Sequence, residues 1–309
     1  MSPRSLIGGM LAAGAGIFAY ASLVERNMFG IRQESIDILE PGSSSIRVLH
    51  LSDIHLAPWQ HRKIEWIRGL VSLRPDLVVV TGDSLGHRGA VPEFARAMSV
   101  FHGVPGVFVH GSNDYFAPRI PNPFTYLIAP SEPDRGGERI DTAGLDEVYS
   151  SLGWLDLNNA AARITINDST IYFTGTDDPH LELDRIDLMA SSLDGLLGAA
   201  QSQISAIIGV THAPYRRVLD ALTTLGADAI FAGHTHGGQV CLPGVGALTT
   251  NSDLPRALAR GLNVWNRFDR SAFINVSAGI GTSIYAPVRF ACPPEAVLVT
   301  LRSKDIGYA

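Results

Sequence analysis

The residues of this 309-residue chain that can do chemistry fall in five short groups: Asp53-Ile54-His55, Gly82-Asp83, Gly111-Ser112-Asn113-Asp114, His212-Ala213-Pro214 and Gly233-His234-Thr235-His236. Aspartate, asparagine and histidine without cysteine make a mixed nitrogen and oxygen donor set. Such a set suits Mn, Fe or Zn better than Ca, and an all-oxygen Mg site less well. Six or seven ligands exceed what one tetrahedral ion needs and match two divalent ions. Asp83 stands alone after its apolar run and is the natural carboxylate to bridge them. Two ions roughly 3.5–4 Å apart can share a hydroxide and clamp the attacking and leaving oxygens of a phosphoryl group. Any one group alone reads as a polar loop, a turn or a helix cap; the weight rests on the set.

Each group ends an apolar run. "RVLHLS" leads to Asp53, "LVVVT" to Asp83, "GVFVH" to Gly111, "AIIGVT" to His212 and "DAIFA" to Gly233. Strands are predicted at 46–51, 77–81, 106–109, 170–174, 206–211, 228–232, 272–276 and 296–301, with helices at about 60–73, 92–101, 143–151, 182–197 and 214–225. Asn167-Asp168, between "ARITI" and "STIYFT", reads as a hairpin turn. Continuously apolar strands imply a sheet covered on both faces, hence a layered α/β or α+β domain. The carboxyl edge of such a sheet is where loops converge into a site. In an extended chain Asp53 and His55, two apart, point to the same side and reach one ion. Residues 115–140, rich in Pro, Gly and charge, read as a long loop or small insertion.

Bulk properties narrow the choices. The net charge is −6 and no basic run exceeds two residues, which excludes a nucleic-acid footprint. Cys241 and Cys292 are the only cysteines, so no zinc knuckle or C-x-x-C redox motif exists, and both read as small hydrophobes. No feature of the sequence predicts a protein partner.

The N-terminus differs from the rest. Leu6 to Val24 is uncharged and made of small and apolar residues, just long enough to span a hydrocarbon core. Residues 1–30 are therefore read as a membrane anchor or, with Ala19-Tyr20-Ala21 as a cleavage pattern, a signal segment; the anchor is the preferred reading. Residues 31–309 form the catalytic domain. Arg4 precedes the span and Arg26 and Arg32 follow it, so the side of the membrane is left open.

The five groups together resemble the calcineurin-like metallophosphoesterase superfamily, whose pattern is D-x-H, G-D, G-N-H-[DE], a lone His and G-H-x-H. The likeness spans about residues 46–240. It is nearest to the membrane-anchored bacterial branch, which shares the N-terminal hydrophobic segment and a tail like "SAGIGTSIYAPVRFACPPE" at 277–295. The resemblance implies two facing mixed β-sheets flanked by helices, a four-layer sandwich. It also implies two divalent metals as cofactors. Asp53, His55, Asp83 and His236 would hold one, and Asp83, an Asn, His212 and His234 the other.

One group departs from that pattern. Gly111-Ser112-Asn113-Asp114 puts Ser112 at the position of the ligand Asn and Asn113 at that of the catalytic His. Asn113 is expected to reach the metal after a local shift, because an amide carbonyl is a better ligand than a neutral hydroxyl. The leaving-group role of the missing His then falls to Asp114 or His180, and Arg289 is a candidate for binding a substrate phosphate. The reading is a phosphoesterase, expected to be a phosphodiesterase using a metal-bridging hydroxide on a lipid-linked or nucleotide-type substrate. The alternative is a membrane-anchored metal-binding module without turnover.

Overall fold

The elements that carry the five groups belong to two different sheets. The computed structural model describes residues 3–119, 136–200 and 204–304, so 120–135, most of the Pro- and Gly-rich stretch, lies outside the described residues. In chain order the strands are β1 (Gly30–Leu39), β2 (Ile46–Leu51), β3 (Leu77–Thr81), β4 (Gly106–Val109), β5 (Leu155–Asp156), β6 (Ala160–Ile166), β7 (Ser169–Gly175), β8 (Ala206–Val210), β9 (Ala229–Ala232), β10 (Cys241–Leu242), β11 (Gly246–Ala247), β12 (Gly261–Arg267), β13 (Arg270–Val276) and β14 (Glu295–Ser303). The helices are α1 (Pro3–Ala19), α2 (His61–Gly69), α3 (Val91–Met98), α4 (Ser112–Tyr115), α5 (Thr142–Ser151), α6 (Ile186–Gly198) and α7 (Arg216–Thr224). Every strand and helix anticipated from the sequence is present within a few residues, and Asn167 takes a left-handed turn conformation between β6 and β7.

One six-stranded sheet has the order β1-β14-β2-β3-β4-β5, and the other β12-β13-β9-β8-β7-β6. In the first, β2, β3 and β4 run parallel; in the second, β7, β8, β9 and β13 do. The carboxyl ends within each sheet therefore share an edge. Period-two alternation sorts the side chains into layers. Ile36, Val48, Val79 and Val299 meet Ile171, Phe173, Ile208 and Phe231 between the sheets. Leu49, Val78 and Val80 face outward against Ile64, Phe94 and Tyr149 of α2, α3 and α5. Ile230, Ile274 and Val276 pack on Met189 of α6 and on Leu219 and Leu222 of α7. The result is a helix–sheet–sheet–helix sandwich with helices on both outer faces.

The sequence reading passed over β1 and β12. β1 carries four polar residues in a row, Arg32 to Ser35, before its buried Ile36, Ile38 and Leu39, and β12 has half-exposed polar positions. Both are edge strands, so their apolar content is diluted and their periodicity weak.

Helix α1 is unlike the others. It continues through a π-helical turn at Tyr20–Val24, and Met10, Leu11 and Ile17 on it are more than half exposed. Gly8–Asn27 is long and apolar enough to cross a membrane. Its last turns touch the domain: Ala21 and Ser22 are buried, and the Arg289 N–H donates to the Ala21 carbonyl at 3.1 Å.

Phe231, fully buried between the sheets, tests the sandwich directly. Phe231→Ala is expected to cost about 3–5 kcal/mol, measured by urea unfolding, because the two sheets close only partly around the void.

Candidate metal centre

The loops leaving the parallel strands are zipped to each other before any side chain is considered. The Asp53 N–H donates to Gly82 O at 3.0 Å and the His55 N–H to Asp83 O at 2.9 Å. The His234 N–H donates to the Asp53 carboxylate at 3.0 Å, so a backbone group of one sheet fastens a side chain of the other. Asp53, His55, Asp83, His234 and His236 all have φ between 42° and 66°. That region costs a non-glycine residue of order 1–3 kcal/mol and persists only where surroundings impose it. The i, i+2 argument for Asp53 and His55 is thus corrected in its reason: they converge through left-handed turns, not an extended strand. Gly111 is required by close approach, since a Cβ there would strike Asp83 Oδ1 and the His212 ring.

The side chains converge in two linked groups. Asp53, His55 and His236 form one, and Asp53, Asp83 and His212 the other; within each, all donor atoms lie within 4.8 Å. His55 Nε2 is 3.2 Å from His236 Nε2, which is 3.6 Å from Asp53 Oδ1. Asp83 faces both groups, with Oδ2 3.4 Å from His55 Nε2 and Oδ1 3.6 Å from His212 Nε2. His234 Nδ1 stands 3.2 Å from His212 Nε2. All six side chains are buried.

Burial sets the charge states. It pulls His55 down to about 4 and takes His234 and His236 well below the ordinary imidazole value, so these rings are neutral. Burial raises Asp53 to about 6. For Asp83 burial pushes upward, but His212 and His55 outweigh it and hold the carboxyl well below its usual range. His212 is pulled down by burial, yet Asp83 and Asp53 raise it to about 9. With His55 and His236 neutral, their Nε2 atoms, 3.2 Å apart, stand beside the Asp53 and Asp83 carboxylates as donor atoms that a cation would gather. The donor set therefore fits divalent ions.

Two of the imidazoles, His212 and His234, are oriented from behind, as ligands are. His212 Nδ1 donates to Thr81 O at 2.7 Å, leaving Nε2 for the site. His234 Nε2 donates to Asn251 O at 3.0 Å, leaving Nδ1. Asp53 is held by a relay that crosses the sandwich. The Asn275 amide donates to His50 Nδ1 at 2.9 Å, and His50 Nε2 donates to Thr81 Oγ1 at 2.9 Å. Thr81 Oγ1 donates to Ser52 Oγ at 2.7 Å, and Ser52 to Asp53 Oδ2 at 2.5 Å. Since the amide can only donate to His50, every later proton has one direction.

Other candidates fall in varied places. The Asn113 amide lies at the site, with Nδ2 2.8 Å from Asp83 Oδ2; a half-turn of the amide puts Oδ1 there instead. His180, in the loop that follows β7, packs on His234 with ring centroids 4.7 Å apart, and its Nδ1 is 3.1 Å from the Tyr215 hydroxyl. Asp114 is fully buried, and its oxygens accept from the Ser84, Leu85 and Gly111 N–H groups, so it braces the loops. Its neighbour His110 donates Nε2–H to Asp146 at 2.8 Å, and despite burial the two acids raise it to about 10. Arg289 is 0% exposed, and its guanidinium donates to the carbonyls of Ala278, Gly279, Gly281 and Cys292. It shapes the turn beneath His236, 3.4 Å from Nδ1.

The sequence reading missed Asp178, Lys63 and the relay. Asp178 is fully buried beside His180, its Oδ2 has no partner among the described residues, and burial raises it to about 7. Lys63 donates to Ile54 O at 2.7 Å and is lowered to about 7 by burial. The signal for Asp178 was its place two residues before His180; His50 and Thr81 look like ordinary strand residues.

Comparison with known proteins agrees with this geometry. The calcineurin-like phosphoesterase family model matches residues 46–238. The chain is 27% identical over 265 residues to the uncharacterized protein YpbG of Bacillus subtilis strain 168, covering 84% of this chain and 82% of that one. It is 24% identical over 324 residues to the uncharacterized metallophosphoesterase YkuE of the same strain, covering 99% of each. Among solved structures, a dimetal phosphatase from Danio rerio superposes with a TM-score of 0.46 at 12% identity, covering 84% of this chain and 93% of that one.

Thr81→Val removes the middle of the relay while keeping the side chain's shape. It strands the buried His50 Nε2–H and Ser52 Oγ, and is expected to cost about 1–3 kcal/mol in chemical unfolding.

Proposed function

The chain belongs to the calcineurin-like phosphoesterase family, and from that premise we propose that it hydrolyses phosphodiesters at a pair of divalent ions held where the two sheets meet. Asp53, His55, Asp83 and His236 would hold one ion, and Asp83, Asn113, His212 and His234 the second. The carrying observation is Asp83: one oxygen faces His55 and the other His212, the disposition of a bridging carboxylate. When bound, such ions neutralise phosphoryl charge and make water nucleophilic at neutral pH. Mn, Fe and Zn are the ions the donor set favours.

The chain's own residues do the rest. The relay to Asp53 and the carbonyls behind His212 and His234 hold the ligands in one orientation, so little rearrangement is needed as charge develops. The Asn113 amide stands where the family pattern has an imidazole and has no proton to give. His180 is the side chain placed to supply that proton to the leaving oxygen, with Tyr215 fixing its ring. The exposed apolar helix anchors the domain to a membrane, which favours a substrate carried at that surface, lipid-linked or nucleotide-type. The same Asn113 supports a second reading, a metal-binding module without turnover.

Asp83→Asn separates these readings. Hydrolysis of a chromogenic phosphodiester with Mn²⁺ is expected to fall about 100-fold or more in the variant, and to vanish for both proteins in chelator. Metal retained without hydrolysis of any ester in a panel would establish the second reading instead. For His180→Asn, esters with poor leaving groups are expected to slow about 10²–10⁴-fold and nitrophenyl esters hardly at all. An equal loss on both would remove His180 from the leaving-group side.

A further inference from the structure

A cleft of about 500 Å³ opens where the N-terminal helix meets the domain. Its walls come from three separate segments: Arg26 and Asn27 at the helix end, Trp59 to Lys63 before and within α2, and Ile280 to Pro287 after β13. Arg26, Arg62 and Lys63 line it together with the hydroxyls of Thr282 and Ser283, and no aspartate or glutamate does. That is unusual in a chain with 30 acids to 24 Lys and Arg. The nearest acid in sequence, Glu25, is buried and accepts from the Cys292 N–H at 2.7 Å. Among the described residues the Lys63 amine meets carbonyls and no carboxylate, Ile54 O at 2.7 Å and His55 O at 3.4 Å. Arg26 Nε is buried and has no hydrogen-bond partner among the described residues. Positive charge is thus gathered with nothing anionic to balance it, beside neutral hydroxyl donors.

We infer that this cleft binds the phosphate of an anionic lipid headgroup, which docks the domain on the bilayer; the inference rests on the proposed membrane anchor. Position selects a lipid over a free anion. Arg26 and Asn27 are the last residues of the apolar span Gly8–Asn27, so the cleft lies where that helix would leave the hydrocarbon core and enter the headgroup layer. Trp59 is 57% exposed at the cleft and Tyr285, next to its Ile284, is 46% exposed. Such aromatics sit with basic residues at membrane–water interfaces. The helix is also fixed to the domain through Ala21 O and Glu25, so a headgroup held by Arg26 and Arg62 sets the tilt of the whole sandwich. The cleft backs onto the loop bearing His55, through Lys63. Most of its lining lies outside residues 46–238, the part of the chain that the family model matches.

The full chain is equilibrated with mixed detergent micelles of phosphatidylglycerol and phosphatidylcholine, and the lipid retained is counted by native mass spectrometry. The expected result is preferential retention of phosphatidylglycerol, reduced about fivefold by Arg62→Gln and further by Arg26→Gln with Arg62→Gln. Arg185→Gln, which removes an equal charge from an exposed pair with Asp187, is expected to leave the preference intact. Absence of a preference in the unaltered chain, or an equal loss with Arg185→Gln, overturns the site. Displacement of the lipid by an equal concentration of inorganic phosphate overturns the lipid as its ligand. Flotation of the chain with pure phosphatidylcholine vesicles checks the anchor separately: failure to float overturns both, whereas flotation without headgroup preference overturns the site alone.

Discussion

The constraint on which this structure turns is the burial of two carboxylates and four imidazoles linked by neighbouring contacts of 3.2–3.6 Å. No packing of apolar side chains pulls such groups together, and desolvation opposes it. Both sheets are needed: Asp53, His55 and Asp83 come from the first, and His212, His234 and His236 from the second. The fold therefore serves to bring two carboxyl edges face to face. The inter-sheet core around Val48, Val79, Phe173 and Phe231 supplies the stability that lets the edge be strained and polar.

The surroundings explain how the strain survives. Five residues of the cluster sit in left-handed backbone conformations, and their amides and carbonyls are tied across loops at Gly82, Asp83 and Asp53. The relay from Asn275 through His50, Thr81 and Ser52 shows the same economy of design: it crosses the sandwich as a polar thread through an apolar core, each donor satisfied. A fully satisfied buried network of this kind rigidifies one arrangement, and a partly satisfied one destabilises it.

Much of this was legible in the sequence. Runs such as "LVVVT" and "AIIGVT" announce strands covered on both faces, and a donor residue after each announces the edge where they converge. Roles that depend on what a side chain touches were not legible. The sequence does not announce that Arg289 is enclosed by backbone carbonyls or that Asp114 is a brace for three amides. Both are charged groups whose partners are backbone atoms, which carry no sequence signal. His50 and Asn275 are hidden for the same reason in reverse: single polar residues in apolar strands have meaning only once the opposite sheet is known. The polar edge strands β1 and β12 were lost because their hydrophobic period is diluted by solvent exposure.

The central claim is that side chains from the two sheets close around a pair of cations. Crystals of the chain grown with Mn²⁺ and measured at the manganese absorption edge test it most directly. Two anomalous peaks on either side of the Asp83 carboxylate, roughly 3.5–4 Å apart, are predicted. Peaks confined to the protein surface, with the His55–His236 and His212–His234 nitrogens left facing one another, would contradict it.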